Sequence, residues 1–400
     1  MDARRRWRAG SSASRARSAS SPMPGSRPNR AGATRARRHP PIAGPMTGIE
    51  RFRGETLPTL AIGAAGAGVF WAMGFPAAIL TGPAAAVSAA TLLGLRSNVP
   101  IRLRDAAFLA IGVSIGSTVT PEVIATALAW PVSLGLLAVM LSVALLLVRA
   151  MLMRGFGYDR MTALLAATPG HLTYVLGLSA DLRADVPRVA LVQSVRVLLL
   201  TLLVPVVIAL WGVEGTARLA DAGQIALPAA VATFALAVAA GWAFRRLGIP
   251  APLLLGAMAV SAIGHGSGIA PGTLPAWLAS AAFLVMGCLI GTRFRGLDAA
   301  GFAGALAAGL ASTLVACALA AGAAVLAAGI VGLPPAALLL AFAPGGVEVM
   351  AALAVETGLE PAFVAAHHVF RLLILSVLVP VFLARERRAQ AAPGHDRPLP

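Results

Sequence analysis

Two uncharged stretches decide what this chain can fold into. Residues 57–95 carry no charged side chain, and neither do residues 125–148. A helix needs about 20 predominantly apolar residues to cross a bilayer, so both stretches are long enough to span. Inside lipid every backbone polar group must be satisfied internally, which restricts spanning structures to helices and closed barrels. These runs are rich in Ala, Leu and Val, show no period-two alternation and exceed strand length, so they predict helices. The whole chain agrees: it is 58% hydrophobic and only 12% charged, where a soluble domain carries about 25% charged residues. The two cysteines, Cys288 and Cys317, lie in apolar runs and form neither a disulfide framework nor a zinc spacing. They read as small core residues.

The net charge of +16 is unevenly placed. Residues 1–53 hold thirteen Arg against Asp2 and Glu50, leaving +11 there and +5 in the remainder, and the chain has no Lys. This head is rich in Arg, Ser, Pro and Gly without hydrophobic periodicity, which predicts a disordered tail. It lacks the apolar core of a signal peptide. Three readings compete: a cytoplasmic polybasic tail on anionic lipid, an Arg- and Ser-rich transit peptide, or an extension ahead of a translation start at Met46. The third is preferred, because Met46 directly precedes the first apolar run. Nucleic-acid binding is not expected.

An internal repeat organises the rest. Ala106-Ala-Phe-Leu-Ala-Ile-Gly-Val-Ser-Ile-Gly116 matches Ala281-Ala-Phe-Leu-Val-Met-Gly-Cys-Leu-Ile-Gly291 at an offset of 175. Pro169-Gly170 with Pro344-Gly345, Arg196 with Arg371, and Val204-Pro205 with Val379-Pro380 keep that offset, while Pro76 and Gly82 match Pro250 and Gly256 at 174. Unit one is expected over 57–212, unit two over 224–385, and a short tail over 386–400. Unit one shows apolar segments at 57–73, 75–95, 104–120, 125–150, 161–180 and 187–211. Unit two shows them at 224–243, 249–268, 274–292, 300–330, 334–355 and 360–384. The fifth segment is broken by Thr168-Pro169-Gly170 in one copy and Ala343-Pro344-Gly345-Gly346 in the other, since Pro removes a backbone donor and Gly loosens a helix.

Loop charges set the relative orientation, because cytoplasmic loops carry excess Arg. Arg96, Arg102, Arg104, Arg154 and Arg160 follow segments two and four of unit one. Arg245, Arg246, Arg293 and Arg295 follow segments one and three of unit two. The sixth-segment loops continue the opposition: unit one is mixed, and unit two has Arg385, Arg387 and Arg388. Opposed bias on matched loops predicts units inverted in the membrane. Inversion needs an odd number of crossings per unit, so the broken fifth segment is expected to be a re-entrant hairpin. The expected fold is an all-α polytopic membrane protein of two inverted repeats. It has about ten transmembrane helices, two broken re-entrant segments and both termini cytoplasmic. Inverted repeats with broken helices are common among secondary transporters. Small residues at four-residue spacings between Gly304 and Gly329 suit close helix packing.

A charge at mid-bilayer costs at least about 2.5–3.5 kcal/mol on insertion scales, so embedded charges are candidates for function. Arg196 lies nine residues after Pro187, about 14 Å into its helix; Arg371 lies ten after Pro361. Gln193, and His367 with His368, fall three or four residues earlier, on the same helix faces as these arginines. Glu348 follows the second break, where unit one has Thr173. One reading makes a midplane site. Half-helix N-termini at Pro169, Gly170, Gly345 and Gly346 favour an anion. Arg196 with Gln193 holds a carboxylate, and Glu348 with His367 or His368 carries a proton or binds a cation. The other reading is structural, with Arg371 paired to Glu348 and tying helix to hairpin. His171 reads equally as loop filler or ligand, and Asp181, Arg183, Asp185 and Arg188 read as a solvated loop.

Pro344-Gly-Gly-Val-Glu-Val-Met350, Pro361-Ala-Phe-Val-Ala-Ala-His-His-Val-Phe-Arg371 and Asp185-Val-Pro-Arg-Val-Ala-Leu-Val-Gln-Ser-Val-Arg196 resemble the AbrB family of bacterial integral membrane proteins over residues 57–385. That family is similar to the cation-antiporter and anion-transporter superfamily. Some members carry ammonia monooxygenase or regulator labels, and the name is shared with an unrelated DNA-binding regulator. Its first repeat resembles Pro-Gly-Gly followed by an acid, whereas this chain has Pro169-Gly170-His171-Leu172-Thr173 and so lacks a symmetric carboxylate. Histidines 171, 265, 367 and 368 show no metal-site spacing, so no enzyme activity, metal or cofactor is expected. The expectation is a secondary transporter of a small, anionic solute, ion- or proton-coupled, in the bacterial inner (plasma) membrane. The alternative is a membrane regulator without transport. The expected partners are the solute and the lipid bilayer, with a homodimer as an option.

Overall fold

The computed structural model describes residues 52–127, 130–170, 172–210, 223–295 and 299–391. The Arg-rich head, the tail beyond 391 and His171 lie outside them. All regular structure among the described residues is helical, apart from one isolated bridge between Gln224 and Thr273. After a turn at Phe52–Thr56 come α1 (Leu57–Ala72), α2 (Ala78–Leu92), α3 (Ile101–Gly116), α4 (Pro121–Thr126), α5 (Trp130–Phe156), α6 (Arg160–Ala167), α7 (Leu172–Asp181) and α8 (Val186–Leu210). Then follow α9 (Leu227–Arg246), α10 (Pro252–Gly266), α11 (Ala276–Gly291) with a tight turn Thr292–Phe294, α12 (Ala299–Val331), α13 (Pro335–Phe342), α14 (Val347–Thr357) and α15 (Pro361–Ala391).

Among the described residues, six helices are long and apolar enough to cross a membrane: α5, α8, α9, α11 with its turn, α12 and α15. α2 and α10 are apolar but have only 15 residues; α1 and α3 have 16. Two expected boundaries need correction. Segment four of unit one begins at Trp130, because Pro121 with the Thr120 cap starts a separate six-residue helix. The last helix also runs to Ala391, past the tail expected from 386. Its Arg, Glu, Gln and Ala residues are strong helix formers, and Glu386 pairs with Arg149 of α5.

Small residues allow helices to approach closely. A Cβ at Gly112 of α3 would overlap the Leu254 carbonyl of α10, and one at Gly287 of α11 would overlap the Leu80 carbonyl of α2. These glycines are 175 residues apart. Ala77 and Ala251, just ahead of α2 and α10, both adopt left-handed backbone with φ of 52° and 45°, a conformation that costs a non-glycine about 1–2 kcal/mol. Opening one face of the bundle, Glu55 meets Arg295 at 3.2 Å, Arg295 also donates to the Ser97 carbonyl, and the Asn98 N–H donates to Thr59.

The fifth segments are broken where the Pro-Gly pairs stand. Thr168 and Ala343 have ψ of 117° and 136°, the extended backbone imposed on a residue before proline. The two ends of the first broken segment lie close together. The Asp185 N–H donates to Thr162 Oγ1 at 3.0 Å, and Arg188 lies over the Tyr158 ring at 5.4 Å, joining the start of α8 to the start of α6. α5 and α15 run side by side in the same direction: Trp130 packs edge-on against Phe363 near their starts, and Arg149 pairs with Glu386 near their ends.

Candidate functional site

Each broken segment leaves a helix ending inside the protein, and the last carbonyls of such a helix have no intrahelical donor. An arginine supplies it in both units. Arg196 on α8, 3% exposed, donates from Nη2 to the Thr168 carbonyl at 3.1 Å, and Gln193 donates to the Leu165 carbonyl at 3.2 Å. Arg371 on α15, fully buried, donates from Nη1 to the Ala343 carbonyl at 2.7 Å and from Nη2 to the Gly345 carbonyl. His368 donates from Nε2 to the Leu340 carbonyl at 2.9 Å. Four of these bonds reach back 28 residues, in two matching pairs: Arg196 to Thr168 with Arg371 to Ala343, and Gln193 to Leu165 with His368 to Leu340. Cations at the C-terminal ends of α6 and α13 also oppose the helix dipoles.

The expected Arg371–Glu348 ion pair does not form. Glu348 sits 3.6 Å from Arg293 Nη2 instead, and the Arg371 guanidinium is occupied by carbonyls. After the break, α14 turns Glu348 toward the end of α11, while α15 carries Arg371 to the end of α13. Nor does either histidine bond to Glu348. His367 Nδ1 donates to the Phe363 carbonyl at 2.9 Å, which leaves Nε2 to accept from the Ser133 hydroxyl at 2.8 Å. A Cβ at Gly346 would lie 3.1 Å from the Glu348 carboxyl, so this acid folds over the N-terminus of its own helix, where negative charge is favoured.

The two breaks approach each other. Pro169, Pro344 and Arg196 line one void of about 10 Å³ with Ala144 and Ser312, room for about one water. A Cβ at Gly170 would stand 3.5 Å from Arg371 Nη2.

A cavity of about 480 Å³ opens beside this crossing. Leu172 and Val347, the first residues of α7 and α14, both line it, as do Arg104, Arg245, Arg293 and Glu348. Asp105 joins them, 2.7 Å from Arg104. Three guanidinium groups against two carboxylates leave the cavity one positive charge in excess, to which two half-helix N-termini add their dipoles. Of the residues expected to bind solute or couple, Glu348 alone lines this cavity. Arg196 and Pro169 line the small void, and Gln193, Arg371, His367 and His368 are engaged in packing the breaks. Arg104, Arg245 and Arg293 were legible only as loop charges. Among the described residues no three His, Cys, Asp or Glu side chains gather as a metal-ligand set.

The profile of the AbrB family, described as transition state regulatory protein AbrB, matches residues 79–385. The chain is 28% identical over 290 residues to the uncharacterized protein YhjN of Bacillus subtilis (strain 168), covering 68% of this chain and 75% of that one. It is 27% identical over 230 residues to a provisionally named regulator, AbrB, of Escherichia coli (strain K12), covering 56% of this chain and 66% of the relative. No solved structure matches.

Proposed function

We propose, from the premise that this chain belongs to the AbrB family, that it is a secondary transporter of a small anionic solute, bound in the arginine-lined cavity beside the crossed breaks. The observation that carries the reading is the convergence of Leu172, Val347, Arg104, Arg245 and Arg293 on one cavity of about 480 Å³. Ligand sites of a few hundred Å³ with a few convergent polar groups are the ordinary form of a small-molecule site. Broken helices aiming their N-termini at an anion are a recurring device in secondary transporters.

The wider architecture in this reading is a pair of inverted repeats, 57–212 and 224–385, with ten crossings and two re-entrant hairpins. The hairpin α6–α7, whose two ends lie close together, supports five crossings in unit one. The matched carbonyl clasps and matched glycines support the repeat. The arginine-lined cavity then opens to the cytoplasm of a bacterial inner membrane, since Arg96, Arg102, Arg245, Arg293 and Arg295 cluster at that face.

Thermal unfolding of the detergent-purified protein tests the site against acetate, succinate, sulfate and phosphate. A ligand at 100 times its Kd adds about 2.7 kcal/mol. At least one of these anions should raise Tm in the native protein, and Arg245→Gln and Arg293→Gln should lose the shift. Unchanged Tm with all four, or a shift retained in both variants, refutes the anion site. The word regulator in the names of the family and the Escherichia coli relative favours a second reading, a solute sensor using the same cavity. Entry of the stabilising anion into sealed proteoliposomes separates the two: a sensor binds without flux.

A further inference from the structure

A second cavity, of about 450 Å³, lies at the other end of α14. Its described lining side chains are mostly apolar, among them Trp71 and Phe75 where α1 gives way to α2, Ile79 in the first turn of α2, and Ile208 of α8, with Thr357 beside them. Into it projects Glu356, in the last turn of α14. Among the described residues lining the cavity, no other side chain from α1, α2, α8 or α14 is titratable or charged, and none from α3, α13 or α15 lines it; the polar groups near the carboxyl are the Thr357 hydroxyl, which donates to the Leu353 carbonyl, and the Ile79 N–H. Glu356 Oε2 is buried and has no hydrogen-bond partner.

That arrangement is unfavourable for a carboxylate on two counts. Burial with one oxygen unpartnered penalises the ionised form, against a single N–H at the start of α2. No cation stands near enough to compensate. A metal ion would need several oxygen ligands, which these walls do not offer. A proton requires only the one oxygen that is left unpartnered.

We propose that Glu356 is a proton-binding site, loaded with a solvent proton through this second cavity. The bond formed is Oε2–H, and the product is a neutral carboxyl against apolar walls. Eight residues earlier on the same half-helix, Glu348 meets Arg293 in the arginine-lined cavity. The two acids are about 12 Å apart along one rigid element, so a proton at one end and an anion at the other act on a common body. This last link, by which Glu356 couples protons to the solute, rests on the transporter reading; proton binding itself does not.

Infrared difference spectra between acid and alkaline buffer, recorded on the full purified chain without any solute, test the site apart from transport. The native protein should show a protonated-carboxyl band of a dehydrated acid that Glu356→Gln lacks. Glu356→Asp should shift the band, which keeps the test decisive if the Gln variant fails to fold. A band that survives unchanged in either variant overturns the assignment. Absence of flux in proteoliposomes with the band intact would overturn only the transporter reading.

Discussion

Replacing Arg371 by methionine keeps much of the side-chain volume and removes the donors to the Ala343 and Gly345 carbonyls. Both acceptors sit at the end of α13, and Arg371 is fully buried, so neither carbonyl gains water in exchange. The Ala343 carbonyl keeps the Gly345 N–H at 2.8 Å, so one acceptor, the Gly345 carbonyl, is stranded at about 1–3 kcal/mol, and losing the charged donor to Ala343 adds about 1.5–3 kcal/mol. The matching change at Arg196 strands one close acceptor, Thr168 at 3.1 Å, and should cost about 1–3 kcal/mol. Unfolding in mixed detergent and denaturant gives both values, with Arg371→Met the larger. A double-mutant cycle then identifies the partner of Glu348. Arg371→Met and Glu348→Gln should couple less strongly than Arg293→Gln and Glu348→Gln, since the carboxylate pairs with Arg293. Arg293→Gln and Glu348→Gln should couple by about 1 kcal/mol, in keeping with a partly exposed pair. Strong coupling of Arg371 to Glu348, or a smaller loss at Arg371 than at Arg196, refutes the carbonyl clasp.

Gly112→Leu and Gly287→Leu should each destabilise by roughly 1–3 kcal/mol, as overpacking does, because each new side chain meets a backbone carbonyl; thermal melts that leave either unchanged would contradict the packing. Ser133→Ala removes the donor to His367 Nε2 and should cost about 1 kcal/mol, read by the same melts. Cysteines at Leu93 and Ile269, both highly exposed, should react with an impermeant thiol reagent from opposite sides of the membrane in a Cys288- and Cys317-free background. Labelling from one side would sink the inverted arrangement.

Much of the fold was legible because its determinants are local. Uncharged runs fix where helices lie, and Pro169-Gly170 and Pro344-Gly345 mark the breaks to within a residue. The embedded arginines were legible too, but not their partners. Spacing along a helix shows which face a side chain occupies; it does not show what lies opposite. Glu348 was the nearest acid in the sequence, whereas Arg371 binds carbonyls, which every residue carries and which therefore leave no mark in the sequence. Arg293 was hidden by its position at the end of α11, where arginine is ordinary as a loop charge. Glu356 was hidden for a like reason: beside Thr357-Gly358 and Glu360 it resembles a solvated turn, and only the folded chain turns it toward apolar walls.

The clasp of Arg196 and Arg371 on backbone carbonyls has a consequence for how this chain can change over evolutionary time. A carbonyl is indifferent to the side chain of its own residue, so the clasped positions are free to drift while the clasping ones are not. The two breaks already show such divergence, with Thr168-Pro-Gly-His in one unit and Ala343-Pro-Gly-Gly in the other. A saturation library should show the same asymmetry: broad tolerance at positions 168 and 343, and near-complete intolerance at 196 and 371.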